Sequence, residues 1–365
     1  MGGTVTRMAP PVDEPLSLPE TRDALGKRVD ALLDAHCAAQ RRAAPHGLAR
    51  ELWEHIAISL KGGKRLRPQL VGVAYAGFGG RSTEACAAAG AAFELLHGAL
   101  LVHDDVIDRD FVRRGRPNIA GIYRERGALR GRSPSSAGHL GASVAIIAGD
   151  LLLSASFRML ERTTAEPTVR ERLAEVFQGA VTDAAAGELA DVLMARDGDG
   201  PSTVDDVLEM ERLKTAVYSF EAPLRVGAIL AGASPAEIDA VGRIGALVGM
   251  AYQIIDDVLG TFGDERQTGK PTASDFREGK LTVLTALARE DPSVARHLAS
   301  ATVDQAGTEE QLREALDRAG AREQALGLAH SLVSEALDEA GRSRLPSALR
   351  SELTRVCNHV LHRER

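Results

Sequence analysis

The chain has 365 residues, of which 44% are hydrophobic and 26% charged, the balance of a globular protein long enough for one large domain or two ordinary ones. Aromatics are only 4%, alanine and leucine abound, and strand-like alternation is scarce, so a β-rich fold is disfavoured and an all-α one expected. A net charge of -7 supplies no basic face for nucleic acid. Cys37, Cys86 and Cys357 lie too far apart for a disulfide framework or zinc knuckle and fit a reducing cytoplasm.

In chain order, residues 1–20 are proline-rich and polar and read as a mobile tail. Helical periodicity then runs over 21–365 without a repeat or linker, as one domain. The first residues lack the apolar core of a signal peptide, and no run of about 18 apolar residues is expected to span a bilayer. "KGGKRLRP" (61–68) is a glycine turn entering a helix with Pro68 in its first turn. Residues 84–108 form one long helix, and "GALRGRSPSSAGHLG" (127–141) reads as a flexible loop near the site entrance. Helices follow at 142–163, 167–194, 203–231 and 235–259, broken by "RDGDGPS" and "AGASP". The polar stretch 260–280 is too long for an idle connection, and amphipathic helices such as "EEQLREALDRAG" complete the chain.

The segment "HDDVIDRDFVRRG" (103–115) places four aspartates and three arginines in thirteen residues at the end of an apolar helix. Asp104 and Asp108 are four apart and share a helix face, with Asp105 beside them. These carboxylates repel one another unless a cation intervenes; Mg²⁺ takes one or two carboxylates plus substrate phosphates. A solvated helix end paired with Arg109, Arg113 and Arg114 is the plain alternative. A second apolar helix, "AYQIIDDVLGTFGD" (251–264), ends in Asp256 and Asp257. Two such ends can face each other across a cavity and bind a polyphosphate through metal ions.

Cations are distributed to match. Lys64, Arg65 and Arg67 follow the glycine turn, where helix N–H groups also favour an anion. Arg113 and Arg114 follow the first acidic cluster, Lys214 lies in "LEMERLKTAVYSF", Lys270 in "TGKP" and Lys280 in "REGK". Together they suit two diphosphates, one held through metal and one directly.

"GGKRLRP", "LLHGALLVHDDVIDRDFVRRG", "LKTA" and "YQIIDDVLGTFGDERQTGKPTASDFREGK" resemble, in order and interval, the signature segments of trans-isoprenyl diphosphate synthases. The second acidic segment is most similar to that of actinobacterial geranylgeranyl diphosphate synthases. The resemblance implies an all-α isoprenoid-synthase bundle with a central cavity between two Asp-rich helices, and a homodimer. The implied substrates are isopentenyl diphosphate and C5 to C15 allylic diphosphates, with up to three Mg²⁺ ions. It implies Asp104, Asp108 and Asp256 as main metal ligands, with Asp105 and Asp257 in support. Arg113, Lys214, Lys270 and Lys280 would hold the allylic diphosphate; Lys64, Arg67, His97 and Arg114 would hold isopentenyl diphosphate. Thr215 and Gln253 match positions whose oxygens face the developing cation. Gly260 stands where the family often has a third aspartate, with Asp264 close by.

Between Asp105 and Asp108 lie two residues, where bacterial farnesyl synthases similar to this family commonly have four. A hydrocarbon growing from Asp104 runs back along the helix past Ala99 and Leu100, then Leu96, at about 5.4 Å per turn. Small Ala99 leaves the tunnel open where short-chain members place an aromatic, so a C20 product is expected, with C25 to C40 next and C15 possible if Leu100 closes it. Leu100, Leu96 and bulky groups from neighbouring helices such as Phe157, Leu160 or Phe177 can narrow the tunnel. A class I terpene cyclase would not need "GGKRLRP", and a metal phosphohydrolase using His103 and Asp104 would need further histidines. A regulatory subunit without chemistry would be expected to have lost aspartates or the basic segment.

Overall fold

The computed structural model describes residues 18–196, 203–263, 281–289 and 308–362. Asp264, Lys270 and Lys280 lie outside the described residues, as does 1–17 of the expected tail. The described helices are α1 (Leu18–Ala43), α2 (Gly47–Ser59), α3 (Leu66–Gly77), α4 (Thr83–Ile107), α5 (Ile119–Leu129), α6 (Pro134–Leu160) and α7 (Pro167–Arg196). Next come α8 (Val204–Glu211), a π-helical segment (Arg212–Glu221), α9 (Ala222–Leu230) and α10 (Pro235–Phe262). The last are α11 (Val283–Ala288), α12 (Thr308–Arg318), α13 (Ala321–Arg342) and α14 (Ser347–Leu361). Strands β1 (Val112–Arg113) and β2 (Arg116–Pro117) form a small antiparallel ribbon. The bundle is all-α, as expected.

Helix α4 is the axis of the bundle. Every residue from Cys86 to Leu96 is buried, because an Ala- and Gly-rich helix that is apolar all round can accept neighbours on every side. α1, α3, α5, α6 and α9 pack on it. The buried side chains of all these helices form one continuous hydrophobic cluster. α10, begun by Pro235 and a capping box between Ser234 and Glu237, packs against the π segment and α13.

Two expectations need correction. The segment 127–141 is mostly helix: α5 continues to Leu129, and α6 starts at Pro134 with Ser133 capping the Ser136 amide. Gly127 and Gly141 there serve close approach. A Cβ on Gly141 would stand 2.3 Å from the Ala120 carbonyl oxygen, so α5 and α6 cross in direct backbone contact. Second, three helices, Thr83–Ile107, Pro134–Leu160 and Pro235–Phe262, are long and apolar enough to cross a membrane by length and composition. Leucine, isoleucine, valine and alanine raise their mean hydropathy, while scattered glycines and polar residues interrupt any strictly apolar run. In α4 and α10 that apolar surface turns inward, with 72% and 61% of the window buried, against 39% in α6.

Candidate active site

Helix α4 ends at its acidic cluster through backbone geometry. Arg109 takes a left-handed conformation, φ 59°, and the Asp110 amide bonds back to the Asp105 carbonyl at 2.8 Å. With the Arg109 amide on the Val106 carbonyl at 3.3 Å, this is a Schellman stop built without glycine. The negative end of the helix dipole then coincides with several carboxylates, an unfavourable overlap that needs cations. Arg113, presented by β1, supplies one: it donates to Asp105 Oδ1 at 2.6 and 2.9 Å and to Asp104 Oδ2 at 3.3 Å. Burial raises the Asp105 pKa, opposed by Arg113.

Lys214 supplies the other. Its Nζ lies 2.5 Å from Asp191 Oδ2, 2.9 Å from Glu188 Oε2 and 3.4 Å from Asp104 Oδ1. Burial alone would lower its pKa, but the carboxylates of Asp104, Asp191 and Glu188 outweigh burial and raise it. A carboxylate from α4 and two from α7 thus converge on one ammonium. The π segment that carries Lys214 also carries Thr215, Tyr218 and Ser219; such wide turns recur at functional sites.

These elements border a cavity of about 710 Å³. One wall is the glycine turn and the start of α3, with Lys64, Arg65 and Arg67, joined by Arg114 from the hairpin; His97, Thr215, Gln253 and Asp256 are among the other lining residues. Arg114, at φ 54°, bonds the Gly62 carbonyl at 2.8 Å and ties the hairpin to the turn. Arg67 donates to Ser219 Oγ at 2.8 Å and Tyr218 Oη at 3.3 Å, and its guanidinium lies 4.8 Å over the Tyr218 ring. His97 Nδ1 meets the same Tyr218 hydroxyl at 3.2 Å. Burial, reinforced by Arg67, Arg113, Arg114 and Arg65, holds the His97 pKa well below its usual value, so the ring is neutral.

The structure therefore gathers Lys64, Arg67, His97, Arg114, Thr215, Gln253 and Asp256 around one cavity, with Asp104, Asp105, Arg113 and Lys214 linked in an adjoining ion-pair network. Asp108 caps α4 one turn beyond Asp104. Asp257, almost fully buried, accepts from Gln253 Nε2 at 2.8 Å and bonds the buried Glu211, whose pKa burial pushes up to about 7. Asp105 and Asp257 thus engage protein partners, as Asp104 does. His103 turns toward α6, with Nε2 3.4 Å from Asp150 Oδ1. Along α4, Leu96 and Ala99 are buried and Leu100 is half-buried. One turn before Leu96, Phe93 packs on Phe177 at 5.1 Å between ring centroids, and Phe177 on Phe157 at 5.3 Å.

Sequence reasoning missed Glu94, Glu188, Asp191 and Tyr218. Glu94 is a buried carboxylate 2.7 Å from Arg65 Nη1 and 3.9 Å from Arg67 Nη1. A signal existed: in "AAAGAAFELLHG" a lone acid precedes His97 by three and shares its face. Glu188 and Asp191 show the same spacing in "AAGELADV".

The chain's relatives place this all-α bundle among the trans-prenyl diphosphate synthases, a class of transferases. The polyprenyl synthetase family model matches residues 50–319, and the chain belongs to that family. It is 33% identical over 313 residues, 83% of this chain and 87% of the relative, to a short chain isoprenyl diphosphate synthase of Methanothermobacter thermautotrophicus. It is 30% identical over 316 residues, 83% and 80% of the two chains, to a (2E,6E)-farnesyl diphosphate synthase of Mycobacterium tuberculosis. Among solved structures, geranylgeranyl pyrophosphate synthase of Corynebacterium glutamicum, complexed with isoprenyl diphosphate and magnesium, superposes with a TM-score of 0.84 at 29% identity, covering 95% of this chain and 100% of that one.

Proposed function

We propose that this chain is a Mg²⁺-dependent synthase that condenses isopentenyl diphosphate with allylic diphosphates to give geranylgeranyl diphosphate, C20. The observation that carries the reading is the shared cavity, in which a basic wall for one diphosphate faces Thr215, Gln253 and Asp256. Lys64, Arg67 and Arg114 hold isopentenyl diphosphate as charge-assisted donors, and neutral His97 adds a donor without an opposing charge. Arg113 and Lys214 hold the allylic diphosphate, and a cation bound by Asp104, Asp108 and Asp256 would complete its grip. The all-oxygen donor set suits a hard divalent ion. Mg²⁺ takes one or two carboxylates and completes its shell with substrate phosphates.

When bound, Mg²⁺ neutralises charge on the departing diphosphate. Arg113 and Lys214 stabilise the same leaving group by preorganised charge. The Thr215 and Gln253 oxygens face the allylic cation, which the isopentenyl double bond attacks; the proton is then lost to the departed diphosphate. The apolar positions of α4 exclude water from the cation. Leu96, Ala99 and Leu100 are not among the residues lining the cavity; C20 is supported by the small Ala99, and we assign the stop to the interlocked Phe93, Phe157 and Phe177 one turn before Leu96. The relatives' names include farnesyl and geranylgeranyl synthases, so the length rests on these side chains. A homodimer is supported by α6, where Ile146 and Ile147 are 46% and 53% exposed, apolar surface that a second copy would cover. The test is consumption of isopentenyl diphosphate with a C15 allylic partner, with Mg²⁺ and with a chelator. Turnover that requires Mg²⁺ and is lost in Asp104→Asn supports the reading; turnover indifferent to both refutes it.

A further inference from the structure

The π segment is wider than an α-helix, yet it lies between α7 and α10. Glycines meet it on both sides. A Cβ on Gly249 of α10 would stand 2.6 Å from Ala216 Cβ, and one on Gly245 2.8 Å from Glu221 Cα. On the α7 side a Cβ on Gly187 would stand 2.2 Å from the Lys214 backbone nitrogen, 2.6 Å from its Cα and 2.8 Å from the Leu213 carbonyl carbon. These last obstacles are main-chain atoms, so no side-chain rotation relieves them. The same turn of α7 continues into Glu188 and Asp191, which grip the Lys214 ammonium. One turn of α7 therefore fixes both ends of one lysine.

We propose that Gly187 is a positioning residue for prenyl transfer. Its missing side chain seats the Lys214 backbone directly on α7, while Glu188 and Asp191 aim the ammonium from the same turn. Lys214 and its neighbour Thr215 are thereby set at the cavity edge. The proposal rests on the role given to Lys214 above.

Gly187→Ala forces the Lys214 backbone away from α7. Restoring an ordinary contact of 3.4 Å from 2.2 Å requires a displacement of about 1.2 Å, and a 1 Å misplacement of a reacting group costs about 100-fold in rate. The expected result is a kcat lower by about 100-fold and a raised KM for the allylic diphosphate. The KM for isopentenyl diphosphate should stay within about twofold, since Arg67 and His97 sit on α3 and α4. Gly179→Ala on the same helix, where nothing lies within 4 Å, should leave all three constants unchanged. In a Lys214→Ala background Gly187→Ala should cost less than in the parent, because the share carried by the Lys214 side chain is already lost while the displacement of Thr215 remains. If Gly187→Ala fails to fold, Glu188→Gln tests the same seat, with an allylic KM raised about tenfold.

Overturning results are a folded Gly187→Ala enzyme with unchanged kcat and allylic KM, both KM values rising together, or an undiminished cost in the Lys214→Ala background. In the fallback, unchanged kinetics of Glu188→Gln overturn it. Should Lys214→Ala itself leave kcat and allylic KM unchanged, the role of Lys214 falls and the proposal with it; the other outcomes overturn the seat alone.

Discussion

Glu94 holds the basic wall in shape, and replacing it by glutamine tests that arrangement. The carboxylate side chain is 6% exposed and faces two guanidiniums, Arg65 at 2.7 Å and Arg67 at 3.9 Å. Glutamine preserves the volume and removes the charge, leaving two cations without their buried counter-ion. Breaking a buried pair by removing one partner costs about 3–5 kcal/mol. Arg65 retains Asp30 at 2.6 Å on its more exposed side, so the loss should lie near the lower limit, about 3 kcal/mol. For a chain this size that corresponds to a Tm lower by roughly 5 °C. Among the described residues Arg67 then keeps the neutral partners Ser219 and Tyr218, and should lose its aim at the diphosphate. One charge-assisted hydrogen bond is worth about 1.5–3 kcal/mol, so the KM for isopentenyl diphosphate should rise at least tenfold, with the allylic KM much less affected. Calorimetry and steady-state kinetics read both effects. A Glu94→Gln protein with a Tm within about 1 °C of the parent and an unchanged isopentenyl KM would refute the reasoning.

Three further outcomes are expected. Ala99→Phe should shorten the product by closing the tunnel above Leu96, at an overpacking cost of about 1–3 kcal/mol; Phe93→Ala should lengthen it, and chromatography of dephosphorylated products reads both. His97 is held neutral in the fold, so the unfolded chain takes up its proton first as pH falls below about 6.5. Its contribution to stability is therefore full above that pH and lost below it, and His97→Gln should flatten the acid limb of the Tm profile. Ile147→Arg should convert the proposed dimer to monomer in analytical ultracentrifugation, because burying the unpaired charge opposes association.

The sequence made the two acidic helix ends legible because spacing of four on an apolar helix is a local property, and the ordered motifs resembled one family. Which groups satisfy those charges was not legible. Lys214 answers to Glu188 and Asp191 more than twenty residues away, and Tyr218 joins Arg67 to His97 across the cavity; such pairings exist only once helices pack. The segment 127–141 was misread for a related reason. Glycine signals flexibility locally, whereas Gly141 is required by the approach of α5 to α6. Likewise, apolar windows in α4 and α10 escaped a count of strictly apolar runs, because scattered polar residues and glycines interrupt them. The roles expected of Lys270 and Lys280 lie outside the described residues.

The central claim is the reaction together with its stopping point. The measurement that tests it most directly is incubation of the purified protein with Mg²⁺, isopentenyl diphosphate and C5, C10 or C15 allylic diphosphates in turn, followed by sizing of the products. The account predicts a dominant C20 product from all three starters. No product from any starter, in a protein shown to be folded, would contradict the enzyme reading, and a dominant C15 or C30 product would contradict the floor at Phe93.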